Sequence, residues 1–141
     1  MDITTLFPAS SNAAYEGSIL SVWYLVLMAV ITILPGCIHF FKHDGGAVSI
    51  AGMKLEKHQE LIFRLFAWAG ATQIVWGLVM VAVVCRYNAL VPMILGLLVI
   101  ERALHLWNMW FSSKSVGHRP PEAYATCGLV PANLLFFILA L

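Results

Sequence analysis

Charge is what this chain has least of. Asp, Glu, Lys and Arg make up 11% of its 141 residues, against roughly 25% in an ordinary soluble domain. With 61% hydrophobic residues, a chain this short cannot hide its apolar surface from water, so its surroundings are expected to be lipid. The net charge of +1 gives no basic face for a nucleic acid. Cysteine is scarce too. Cys37, Cys85 and Cys127 form no CxxC pair and match no zinc spacing, so they read as small buried residues. There is no P-loop, GxGxxG, HExxH or nucleophile elbow, and Ser, His and Asp form no recognisable triad. No repeat, low-complexity tract or second domain is visible. These absences argue against an enzyme and leave no catalytic residue and no metal site to name.

Four long apolar runs account for most of the chain. They give helices at about 18–41, 61–85, 90–111 and 122–141, each near the length that crosses a bilayer core. Strands would be shorter and would alternate polar with apolar residues, and these runs do not alternate. The first run starts late and lacks a basic leader, so it is not a cleaved signal peptide. The expected fold is therefore all-α: an antiparallel bundle of four transmembrane helices in a single integral membrane domain covering residues 1–141.

The linkers refine this plan. "RYN" is short enough to make the second and third spans a tight antiparallel hairpin, with Asn88 capping the third helix and Pro92 in its first turn. Pro120-Pro121-Glu122 reads as a helix start with a carboxylate in the first turn. The basic residues Lys42, Lys54, Lys57, Lys114 and Arg119 share one side, with Arg64 just inside it. The other side holds Arg86, Asp2 and Glu16. Positive residues favour the cytoplasm. The basic loops at about 42–60 and 112–121 are thus expected to be cytoplasmic and both termini external. Tyr15, Trp23, Tyr24 and Tyr87 would mark the outer interface, and Trp107, Trp110 and Tyr124 the inner one. Lys54, Lys57 and Arg64 fit a simple positive-inside linker or, alternatively, a segment lying on the membrane surface.

The chemistry concentrates in the third span, in "VIERALHLWNMW". Glu101, His105 and Asn108 are spaced i, i+4, i+7 and share one helix face. Facing lipid, a carboxylate there would be costly, so this stripe should face the bundle interior. Counting back from the turn near Tyr87 puts Gln73 at the depth of Glu101 on the second helix, between Gly70 and Gly77. Small residues allow close approach, so a Gln73–Glu101 hydrogen bond is expected. Arg102 either bends to the headgroups or turns inward against Glu101. Arg64 and His39 lie at similar depth nearer the cytoplasmic face and complete a polar cluster. Pro35-Gly36 should kink the first helix and open space beside His39, with Thr32 meeting the freed carbonyl. Pro131 does the same in the fourth.

Four readings of the cluster stay open: interhelical glue, a site for a quinone, lipid or other amphipathic ligand, a proton path through Glu101 and His105, and haem ligation by His39 and His105. The last suffers from a mismatch in depth. The Glu-x-x-x-His spacing also departs from the Glu-x-x-His of di-iron bundles, and no second copy exists.

Pro35-Gly36, the "GATQIVWG" of the second span, "ERALHLWN" and "GLVPANLL" together resemble small bacterial four-helix membrane proteins of the DoxX-like kind and neighbouring uncharacterised families. That resemblance implies the four-helix fold rather than a reaction. "ERALHLWNMW" is also similar to the Arg/His/Asn/Glu-rich helix of the membrane glutathione-transferase superfamily, but here it lies in the third span, and no catalytic residue follows from it. The expected role is an accessory or scaffold subunit of a larger membrane assembly. Its partners would be membrane lipids and other membrane subunits or further copies of itself. The alternative is a quinone- or lipid-binding protein or enzyme acting at Glu101 and His105.

Overall fold

The computed structural model describes residues 9–112 and 119–141; Asp2 and Lys114 lie outside the described residues. The described part is all-helical, with no strand. Helix α1 spans Ile19–Phe41, α2 Gln59–Arg86, α3 Val91–Leu106 and α4 Pro121–Ala140. A short 3-10 turn, Asn88–Leu90, leads into α3, and a π-helical turn, Trp107–Phe111, continues it. All four stretches are long and apolar enough to cross a membrane, counting the third from Asn88 to Trp110. Well under half of each is buried inside the protein. Large apolar side chains such as Trp23, Leu34, Val75 and Leu104 face outward on every side. In water such surface would drive aggregation; in hydrocarbon it meets a matching medium. Cys85 and Cys127 also face outward and only Cys37 is half-buried, which corrects the expectation of three buried thiols.

Local chemistry explains the helix ends. Ser18 caps α1 by accepting from the Leu20 amide at 3.3 Å. Pro121 opens α4 with Glu122 in its first turn. Asn88 does not cap α3. Its amide nitrogen, facing two carbonyls at the end of α2, donates to Val83 O at 3.1 Å and Val84 O at 2.7 Å. The N-terminal segment is tied to the same turn, where Asn12 accepts from the Asn88 amide at 3.0 Å and donates to Cys85 O at 3.2 Å. α1 passes through Pro35 without a break in assignment. Thr32 Oγ1 donates to Met28 O at 2.7 Å rather than to the carbonyl that Pro35 frees.

Packing divides the bundle into two tight pairs, α1 with α2 and α3 with α4. Glycine makes the first pair. A Cβ on Gly70 would stand 2.6 Å from Gly36 O and 2.7 Å from Phe40 N, and a Cβ on Gly77 would run into Ile33. The glycine face of α2 is therefore spent on α1, not on α3. In the second pair a Cβ on Gly96 would lie 3.2 Å from the Phe137 ring.

The two pairs meet at the end where α1 begins and α4 finishes. Leu25 and Met28 of α1, Met80 of α2 and Val91, Leu95 and Leu98 of α3 form a fully buried apolar core there. Ser21 Oγ donates to Phe136 O at 2.9 Å. Tyr24 donates to Asn133 Oδ1 at 2.6 Å, and Asn133 Nδ2 reaches Leu98 O at 3.4 Å. Tyr24 is thus a buried bonding residue, stacked on Phe136 at 4.0 Å, and not part of an interface belt. Toward the basic loops this core ends. Below the tight turn α2 and α3 make few contacts, so the expected hairpin is tight only at its tip.

Candidate functional site

The space left where α2 and α3 part is a cavity of about 660 Å³, within the range of roughly 300–1,000 Å³ typical of small-molecule sites. α2 supplies one wall with Trp68, Ala71, Thr72, Gln73, Val75 and Trp76. α3 supplies the other with Leu97, Glu101, Arg102 and His105. Thr32 of α1 and Glu122 of α4 complete the lining. Most of the lining surface is apolar, although seven of the twelve lining residues are polar or charged.

Three side-chain atoms of residues that line this cavity are buried and lack a hydrogen-bond partner among the described residues: Gln73 Oε1, Glu101 Oε2 and Arg102 Nε. Each unpaired group costs about 1–3 kcal/mol when buried in protein, and the arrangement concentrates three of them around one space. Arg102 is 9% exposed. Its Nη1 donates to Glu122 Oε1 at 3.1 Å, which leaves Nε as the idle donor. The hydroxyls in the wall are already used within their own helices. Thr32 bonds Met28 O at 2.7 Å, and Thr72 bonds Trp68 O at 3.2 Å.

The fold brings together four of the residues read from sequence: Gln73, Glu101, Arg102 and His105. It does not join Gln73 to Glu101 by a hydrogen bond: the α2 glycines face α1, and Gln73 Cβ itself lies 2.9 Å from where a Cβ on Gly36 would stand. Arg102 does turn inward, but to Glu122. Asn108 is exposed and outside the cavity. The i, i+7 spacing holds only for an α-helix, and the π turn starting at Trp107 carries Asn108 off the face of Glu101 and His105. His105 lines the cavity from its exposed rim. Arg64 points outward into a separate polar groove with Glu56 and His58. His39 is taken up by the first linker: its Nδ1 donates to Gly45 O at 2.5 Å, and its ring meets Phe66 edge-on. His39 and His105 therefore do not converge on one point, and no cluster of metal ligands occurs among the described residues.

Glu122 and Thr32 also line the cavity, and the sequence pointed to neither as part of the polar cluster. Glu122 had been read only as a helix-start residue. A lone carboxylate opening one span and a lone arginine inside its neighbour were the signal for the pair.

Beyond the spans, two groups have shifted acidity. The Asp44 carboxyl is held well below the usual carboxylate range, chiefly by the Ser49 amide at 2.8 Å, and also by the Ser49 side chain, the Gly46 amide and the Lys42 ammonium. Burial pushes the Tyr15 phenol up, partly opposed by a hydrogen bond with Ser21. Both groups stabilise loops at opposite ends of the bundle and stand apart from the cavity. Compared with family models, with curated proteins and with solved structures, the chain finds no match.

Proposed function

We propose that this protein is a multi-pass membrane protein that binds an amphipathic ligand from the bilayer in the cleft between α2 and α3. The observation that carries the reading is the set of three unpartnered buried polar atoms on residues that line a cavity of largely apolar surface. Interhelical glue would have its bonds made, as Tyr24 and Asn133 do. At Gln73, Glu101 and Arg102 the bonds are open, which is the state a site presents before a polar head arrives. The apolar walls suit the ligand's tail. The accessory-subunit reading rests on the small size of the chain alone, so the cavity favours binding. The distribution of Lys and Arg supports a cytoplasmic side for the basic loops, the side from which α4 starts with Glu122 in its first turn and toward which α3 carries His105.

The test is native mass spectrometry of the full chain in mild detergent, beside the cavity-filling variant Ala71→Phe. A bound amphiphile in a one-to-one complex, lost in the variant while helix content is kept, supports the reading. A wild-type chain carrying no small molecule, but retained by other membrane subunits, sinks it.

A further inference from the structure

Resting on that reading, we infer that the ligand's head is neutral and donates a hydrogen bond, as the hydroxyl of a long-chain alcohol or an acylglycerol does. The unpartnered polar atoms on the lining residues set what a head must offer. Two acceptors are open, Gln73 Oε1 and Glu101 Oε2, and one buried donor, Arg102 Nε. The hydroxyl protons of Thr32 and Thr72 are spent on their own helices, so neither threonine can donate to a head. A hydroxyl both gives and takes, so one group can donate to Glu101 or Gln73 while accepting from Arg102. A head that only accepts, such as an ester or an oxidised quinone, meets Arg102 and leaves both acceptors empty.

Charge excludes the other class. Glu101 and Glu122 place two carboxyl groups at the cavity beside the guanidinium of Arg102 and the imidazole of His105, and Glu122 already occupies that guanidinium at 3.1 Å. An anionic head, a fatty carboxylate or a phosphate, would face the Glu122 carboxylate and compete with it for a guanidinium that is already paired. In low dielectric that repulsion is felt strongly. The depth of Glu101, midway along its span, also suits a weakly hydrated hydroxyl better than an ion.

Trp68 and Trp76 line the cavity and supply a readout. The full chain in micelles is titrated with four probes that share one dibromostearyl tail: the alcohol, the monoacylglycerol, the ionised fatty acid and its methyl ester. Bromine quenches tryptophan on contact, and Ala71→Phe gives the baseline for non-specific partition. The alcohol and the monoacylglycerol are expected to quench saturably above that baseline, about tenfold tighter than the acid or the ester, the equivalent of one hydrogen bond. Which of the two binds better tells a simple alcohol from an acylglycerol as the source of the hydroxyl. In Glu101→Gln the margin over the acid should shrink. An acid or ester that binds as tightly as the alcohol overturns this inference and leaves the binding reading standing. No saturable quenching by any of the four overturns both.

Discussion

Arg102 in the middle of α3 reaches Glu122 at the first turn of α4, Nη1 to Oε1 at 3.1 Å, and the two ends of that pair live in different media. The arginine side chain is 11% exposed and the glutamate 53%. The pair clamps the second helix pair at the end where the apolar core has run out, and it fixes one wall of the cavity.

That asymmetry predicts unequal costs. Glu122→Ala strands a buried guanidinium, whereas Arg102→Met leaves a carboxylate free to turn toward solvent. Reversible unfolding in mixed micelles should show the Glu122 variant as the less stable of the two, by about 1–2 kcal/mol. Arg102→Met proving the more damaging change would refute this account of the pair.

Gly70→Ala should loosen the α1–α2 pair. The added Cβ would lie 2.6 Å from Gly36 O and 2.7 Å from Phe40 N, and backbone cannot yield as a flexible side chain can. Overpacking of this kind costs about 1–3 kcal/mol. Gly128→Ala is the control, because nothing stands within 4 Å of its Cβ. Equal thermal stability of the two variants would mean that the close approach of α1 and α2 is not what holds them.

Tyr24→Phe keeps the ring stacked on Phe136 and deletes the bond to Asn133, which is fully buried. Hydrogen bonds between membrane helices are worth roughly 0.6–2 kcal/mol. A loss in that range is expected, with Asn133→Leu recovering part of it in the double variant because no acceptor is then left unpaired. Strict additivity of the two changes would rule out the coupling.

Asp44 predicts an acid-sensitive first linker. Its carboxyl is depressed, so its contribution is fully present above the ordinary aspartate value of about 3.9 and is lost as pH falls below that toward the folded value. The Ser49 and Gly46 amide resonances, which report the two hydrogen bonds to Asp44, should titrate below the ordinary range. They should stay flat in Asp44→Asn. A midpoint at or above the ordinary value would show that those amides do not hold the carboxylate.

Much of this was legible in the sequence, and the reasons differ by residue. The four helices followed from run length, and the starts of α3 and α4 from Pro92 and Pro121, because a proline acts within one turn. Gln73 and Glu101 were placed at one depth by counting from a tight turn, and both do line one cavity. Their expected bond failed because counting gives depth but not azimuth: Gly70 turns that part of α2 toward Gly36. Asn108 left the stripe because the π turn at Trp107 breaks the period on which the stripe was drawn. His39 was lost to Gly45, a partner six residues away whose loop conformation no periodicity foretells.

Composition and periodicity alone determined that this chain makes four apolar helices, since backbone groups in hydrocarbon must bond within their own segment. They also determined that the third helix carries buried charge. Only the tertiary structure decided which helices touch. Glycines drew α1 onto α2, α3 settled on α4, and the space between the pairs became the cavity. Pairing depends on side-chain shape compared across helices, and that information belongs to no single stretch of sequence.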